Sequence, residues 1–369
     1  MAKNNKKRVS VSVTNDLSTD QRVHKVCSTL MQNNYIVKLI GRRHRNSPHL
    51  HRPYSIFRMR LLFNTGFLFY AEYNIRLFFY LLMSRADIYL ANDTDTLTAN
   101  WLASVLRRKP LVFDAHEMFP AVPEVVNRKF VKTVWTKIED MLFPRLKHCY
   151  TVCQSIADIY NAKYGISMQV VRNIPPAAPI KLPKKNLTPE DKKVILYQGA
   201  VNMGRGIEWI IDAMPYLEDF VFFVVGDGDI LDKLKAKTEA MHLQERVFFV
   251  GKVTFEELAS YTQNADVGVN LLDNSSLNYY YSLPNRIFDY IRATLPIVSV
   301  DFPEIRRIVA HYQIGTLIDH FEPAYLANVI RQRATQPKNL SGFAHANAEL
   351  TWENETQILL KVFASIESP

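Results

Sequence analysis

Residues 281–290, Tyr-Ser-Leu-Pro-Asn-Arg-Ile-Phe-Asp-Tyr, bring several kinds of chemistry into one short stretch. Ser282 can cap a helix whose first turn contains Pro284, and Asn285 and Asp289 then share one face at i and i+4. Such a helix start offers backbone N–H groups and the positive end of the helix dipole to an anion. One turn on, the Asp289 carboxylate can accept hydrogen bonds from two vicinal hydroxyls. Phosphate followed by ribose satisfies both, so the pattern implies a nucleoside diphosphate, although an ordinary surface helix can begin the same way.

A second cluster is Tyr197-Gln-Gly-Ala-Val-Asn-Met-Gly-Arg-Gly-Ile. Gly199, Gly204 and Gly206 gather there in a chain with only 12 glycines, and they let backbone approach a ligand closely. Arg205 can fork onto phosphate oxygens. In Val225-Gly-Asp-Gly-Asp, Gly226 and Gly228 can floor the same ligand or simply make a tight turn. Upstream, Phe113-Asp-Ala-His-Glu sets Asp114, His116 and Glu117 just past an apolar strand end. His116 is expected as a hydrogen-bonding group in a cleft; Asp and His at i, i+2 without further ligands do not make a metal site. Asp20 or Thr19 can cap the first helix and place Arg22 in its first turn. No Gly-x-Gly-x-x-Gly follows the first strand, which disfavours a dinucleotide cofactor.

The elements that must hold these residues alternate regularly. Val9–Val13, Ile36–Ile40, Ile88–Ala91, Leu111–Asp114 and Cys149–Val152 read as strands separated by helix-length segments. Val194–Gln198, Val221–Val225, Val247–Val250, Val267–Leu271 and Ile297–Val300 repeat the theme. This predicts an α/β protein of two Rossmann-like domains with parallel sheets covered on both faces. A Pro- and Lys-rich linker is expected over residues 173–185, and residues 351–366 read as a last amphipathic helix. Ligands of open α/β sheets lie beyond the carboxyl ends of the strands, so a cleft between facing domains is expected.

At 369 residues the chain suits two domains, and 48% hydrophobic with 22% charged residues describes a globular protein. Three scattered cysteines, Cys27, Cys149 and Cys153, argue for a reducing compartment and against a disulfide framework. No apolar signal follows the basic start, so a cytoplasmic location is expected. A net charge of +9 suits anionic partners, but no recognition-helix, zinc or RNP pattern points to nucleic acid. Residues 57–83 are crowded with Phe, Leu and Tyr and flanked by arginines, too interrupted for a membrane span. They read either as a helix pair lying in a lipid headgroup region or as buried helices of the first domain.

In order and spacing, these motifs resemble glycosyltransferase family 4, retaining sugar-nucleotide enzymes of the GT-B fold. The resemblance is carried by Asp20-Gln-Arg-Val, Asn92-Asp-Thr-Asp-Thr-Leu, Asp114-Ala-His-Glu and Val171-Arg-Asn-Ile-Pro. It continues in Gly199 with Arg205-Gly206, Val225-Gly-Asp-Gly, Val250-Gly-Lys-Val, Ser282-Leu-Pro-Asn-Arg-Ile-Phe-Asp-Tyr and Trp352-Glu. It implies an N-terminal acceptor-side domain over residues 1–175 and a C-terminal sugar-nucleotide domain over 176–350. The final helix, within 351–369, would return to the first domain. It further implies that Arg205 and the helix start at Asn285 hold the donor diphosphate, with Gly199, Gly226 and Gly228 at the donor and Asp289 on its ribose. Val250 and Gly251 would lie near a uracil or guanine base, His116 would face the reacting sugar, and Asp16, Arg22, Asp93 and Glu117 would serve the acceptor. No metal or other cofactor is implied.

Two departures stand out. The family commonly has arginine where this chain has Ala200, and a glutamate where it has Tyr281, which can line the sugar pocket instead. The expected activity is transfer of a sugar, with retention, to a glycan or lipid-linked acceptor on the inner face of a membrane. A sugar-nucleotide epimerase of similar fold and a catalytically silent subunit are the alternatives.

Overall fold

The computed structural model describes residues 6–18, 20–177 and 192–366. The chain divides into two compact units, Met1–Asn173 with Glu355–Pro369, and Ile174–Asn354. It passes from the second unit back to the first inside one helix, Trp352–Ala364. Of the expected linker, residues 178–185 lie outside the described ones.

The first unit carries seven parallel strands: β1 (Arg8–Asp16), β2 (Ile36–Arg42), β3 (Ser55–Met59), β4 (Ile88–Asn92), β5 (Leu111–Ala115), β6 (His148–Thr151) and β7 (Gln169–Val170). Their order is β3-β2-β1-β4-β5-β6-β7. The second has six: β8 (Lys193–Gln198), β9 (Phe220–Val225), β10 (Val247–Gly251), β11 (Val267–Asn270), β12 (Ile297–Val300) and β13 (Gly315–Ile318). These are also parallel, in the order β10-β9-β8-β11-β12-β13. In each sheet the order reverses beside the unit's first strand, between β1 and β4 and between β8 and β11, which is where open α/β sheets leave a crevice.

The interior strands explain themselves. β4, β5, β9, β11 and β12 are buried at every residue, as strands covered on both faces must be. Strands β3, β7 and β13 have no counterpart among the expected ones, and all three are sheet edges.

The segment 57–83 is not a helix pair. Its first residues complete β3, and a single helix, Gly66–Met83, follows. Phe69, Tyr73, Leu77 and Leu81, four apart, form its buried stripe, while Phe67, Leu68, Ile75, Phe79 and Met83 are exposed. Half of this helix is core and half is open surface. Among the described residues no helix is long and apolar enough to cross a membrane.

In the last helix, Glu355 is fully buried and accepts hydrogen bonds from the Arg172 backbone N–H at 2.7 Å and side-chain Nε at 2.9 Å. Tyr35 packs edge-on against Phe363 in the same unit.

Candidate active site

In the second unit, β8 ends in Gln198 and turns at Gly199, whose φ is +126°, a backbone state that favours glycine. The loop continues to Gly206 and is pinned to the chain after β11 by the Asp273 N–H donating to the Gly204 carbonyl at 3.0 Å. Arg205 is thereby laid over the Tyr279 ring, its guanidinium carbon 4.6 Å from the centroid. Its Nε is buried without a hydrogen-bond partner.

Across from it runs the helix Asn285–Arg292, with Pro284 rather than Ser282 in the capping position. Ser282 instead donates its hydroxyl to the Tyr279 carbonyl at 2.9 Å. Pro284 has no hydroxyl to satisfy the first N–H groups, so the helix opens with no side-chain cap. The helix is held over the sheet reversal by Tyr290, whose hydroxyl donates toward the Leu196 and Val269 carbonyls of β8 and β11 at 3.1 and 3.2 Å. Asp289 accepts from Gln198 Nε2 at 2.7 Å, and Gln198 Oε1 accepts from the Thr262 hydroxyl at 2.8 Å. This buried relay fixes the carboxylate's rotamer.

Arg205, Asn285 and Asp289 line one cavity of about 350 Å³ together with Gln198, Gly199 and Arg286. A smaller, largely apolar cavity shares Gln198, Leu258 and Asp289 with it and extends along Ala259, Thr262 and Ala293.

Several expected residues stand elsewhere. A Cβ at Gly226 would collide with the Gly199 carbonyl oxygen, and one at Gly228 with that of Val201. Both glycines serve the packing of one loop on its neighbour, as a tight turn requires, and neither lines the cavities described above. Val250 and Gly251 end β10, and a Cβ at Gly251 would meet open space. Tyr281 packs edge-on against Tyr280 at 4.9 Å and does not line the described cavities.

The first unit gathers charges at the carboxyl ends of β1, β4 and β5. Asp20 caps the helix Gln21–Gln32 by accepting from the Val23 N–H at 2.9 Å, while Thr19 lies outside the described residues. Arg22 is 4% exposed; its fork grips Asp114 at 2.7 and 3.0 Å and its third nitrogen donates to the Val171 carbonyl at 2.8 Å. It therefore positions Asp114 and has no face left for an acceptor. Asp16 is held by Arg58 and by the Ser47 hydroxyl. Half-buried Glu117 follows His116.

His116 sits between two carboxylates, Nε2 at 3.1 Å from Asp114 and Nδ1 at 3.2 Å from Asp93. Asp93 adopts φ +59° and ψ 165°, a state costly for any residue but glycine, and also accepts the His116 backbone N–H at 2.7 Å. Burial pulls the His116 imidazole down, yet Asp93 and Asp114 outweigh it and carry the imidazolium up to about 9. Burial would raise Asp114, but Arg22 and His116 hold it at about 2. Burial raises Asp93 against the pull of His116, and it lifts Asp95 to about 7 although the Thr14 hydroxyl donates to it at 2.5 Å. A histidine clamped as a cation, with both ring N–H groups directed at carboxylates, is poorly suited to removing a proton.

Comparison with known proteins places this geometry. The family described as Glycosyltransferase Family 4 matches residues 20–181, and the one described as Glycosyl transferases group 1 matches 180–349. The chain belongs to the family 4 glycosyltransferases. Alpha-D-kanosaminyltransferase of Streptomyces kanamyceticus is 22% identical over 153 residues, 40% of this chain and 38% of that protein. The chain spans well under two thirds of the curated relatives it matches, 21% and 38% of their lengths. Among solved structures, sucrose-phosphate synthase from Thermosynechococcus elongatus superposes with a TM-score of 0.79 at 16% identity, over 98% of this chain and 99% of that one. Anabaena HepE in complex with UDP-glucose gives 0.72 at 14% identity, over 97% and 99%. The fold is the GT-B type of two Rossmann-like domains.

Gln198, Thr262 and Arg286 do not stand out as site residues along the chain. Arg286 had a signal, since it stands inside the 281–290 motif, but the chemistry read there belongs to Asn285 and Asp289. Gln198 closes an apolar strand run, and nothing along the chain ties it to Thr262.

Proposed function

We propose that this protein transfers a sugar, with retention, from a nucleoside-diphosphate sugar to a glycan or lipid-linked acceptor. The observation that carries the reading is that Arg205, Asn285 and Asp289 converge on one cavity at the sheet reversal of the second unit. HepE, of the same fold, is known in complex with UDP and with UDP-glucose, which supports a uridine donor.

Heterolysis of the sugar–phosphate bond sends its electron pair to a diphosphate oxygen and builds oxocarbenium character on the sugar. Arg205 and the uncapped helix start at Asn285 stabilise that leaving charge with fixed donors. The acceptor hydroxyl attacks the anomeric carbon from the same face, and its proton passes to a phosphate oxygen of the departing diphosphate. Asp289 accepts from the ribose hydroxyls and sets the register of the donor. His116, held as a cation with its two N–H groups on Asp93 and Asp114, contributes positive charge toward the reacting sugar. Protein donors meet the phosphate charge, so no metal ion is required.

Incubation with UDP-glucose and GDP-linked sugars, followed by NMR of the product's anomeric centre, tests the reading. Arg205→Ala should lower turnover about 100-fold, the usual size for loss of one transition-state donor, with the fold intact. Undiminished turnover in the folded variant, or an activity abolished by chelator, would count against these assignments.

The exposed stripe of the helix Gly66–Met83, continued by Leu62 at 78% and Phe63 at 44% exposure, suits a lipid surface. Arg43, Arg45 and Arg60, all exposed in the neighbouring sequence, suit anionic headgroups. This supports a lipid-linked acceptor reached by peripheral attachment at the inner face of a membrane.

A further inference from the structure

Arg286 is 6% exposed, and its Nη1 is buried without a hydrogen-bond partner. Its guanidinium carbon lies over the Tyr197 ring, 4.3 Å from the centroid, and Nη2 stands 3.4 Å from where a Cβ on Gly199 would be. It lines the same cavity as Arg205. A buried guanidinium has five donors and no acceptor, so leaving it without a counter-charge is costly unless something anionic visits. Neither Arg205 nor Arg286 forms one of the ion pairs found among the described residues.

We propose that Arg286 is a second phosphate-binding residue, which with Arg205 forms a two-guanidinium clamp selective for a diphosphate over a monophosphate. The inference rests on the donor-site reading above and deepens it. One guanidinium satisfies one phosphoryl group; two that line a common cavity, each over a different tyrosine ring, match the spread of charge in a pyrophosphate. Arg286 is held by its cation–π contact with Tyr197 and by the close passage of Gly199, so it is oriented before the ligand arrives. Ala200 lines the same cavity with no donor of its own, and a guanidinium introduced there can reach the same ligand.

The test is calorimetry of the full chain with UDP and UMP (and with GDP and GMP), alongside thermal unfolding. Wild type should prefer the diphosphate. Arg286→Met should weaken UDP binding between about tenfold and about a hundredfold, the range for a hydrogen bond to a charged group, and leave UMP nearly unchanged. Its unfolding temperature without nucleotide should equal or exceed that of wild type, because an uncompensated buried charge has been removed. The double variant Ala200→Arg with Arg286→Met should regain part of the UDP affinity. A folded Arg286→Met with wild-type UDP affinity overturns the clamp, as does equal weakening of UDP and UMP. A variant less stable than wild type that the double variant does not rescue assigns Arg286 a structural role and overturns it too. Failure of wild type to bind any nucleoside diphosphate would instead sink the donor-site reading beneath it.

Discussion

Asp289 shows how a single carboxylate is prepared for its work. Left to itself a helical Asp samples several rotamers; the Gln198 amide, itself fixed by Thr262, selects one. An Asp can accept from both hydroxyls of a ribose, whereas an Asn has a single acceptor oxygen that must serve both Gln198 Nε2 and the ribose. Asp289→Asn should therefore weaken UDP binding about tenfold, the worth of one charge-assisted hydrogen bond. The same substitution should leave the affinity for 2′-deoxy-UDP almost unaltered, since the partner hydroxyl is already missing. Equal losses for both nucleotides would remove the ribose contact from Asp289. Arg205, Asn285 and Asp289, which the sequence singles out and which line one cavity, are residues whose chemistry shows in their own local stretch of chain. Gln198 and Arg286 are not, because their roles arise from what lies opposite them in space. Arg22 misled for the same reason: its place in a first turn is local, whereas its burial against Asp114 is decided 92 residues away.

At the scale of elements, legibility followed burial. Strands with two covered faces announce themselves as unbroken apolar runs, and the interior strands of both sheets were found that way. Edge strands need only part of that covering: Ser55–Met59 alternates exposed and half-buried residues up to Met59, and Gly315–Ile318 buries fully only its last residue. Their sequences carry little signal. The loops between strands have their own tight fit, most sharply at Gly226, where φ is +149° and the Gly199 carbonyl fills the space a side chain would take. Gly226→Ala should destabilise the second unit by about 3 kcal/mol, the upper range of overpacking, as read from urea unfolding. A change under 0.5 kcal/mol would show that the two loops part easily. The helix Gly66–Met83 was ambiguous because it does both things expected of it, one stripe buried and the other open. Phe67→Ser with Phe79→Ser alters only exposed positions, so the fold should hold while co-sedimentation with anionic phospholipid vesicles falls about tenfold or more. Retention of full vesicle binding would assign that face to another partner.

The whole molecule separates its charges by unit, and that separation can be measured. The clamped histidine, the raised Asp93 and Asp95 and the low Asp114 all belong to the first unit, while the cavity lined by Arg205 and Asp289 belongs to the second. Each unit has its own sheet and interior, so thermal unfolding should show two transitions instead of one. A ligand that binds one folded unit raises that transition alone, by mass action, so UDP should shift the second unit's transition upward and leave the first in place. Protons act on the other. His116 titrates near 9 when folded and near 6.5 when unfolded, so the folded unit holds the proton more tightly. Its contribution is complete below about 6.5 and is lost as pH rises through about 9, because deprotonation leaves Asp93 and Asp114 facing a neutral ring. Asp114 works in the opposite sense, its contribution present above about 4 and lost as pH falls through about 2. Calorimetric scans between pH 6 and pH 9.5 should therefore lower the first unit's transition selectively, and His116→Asn should flatten that dependence. The UDP-responsive transition should keep its position over the same range. If UDP and pH moved one and the same transition, neither the separate stability of the units nor the confinement of the nucleotide to the second could stand.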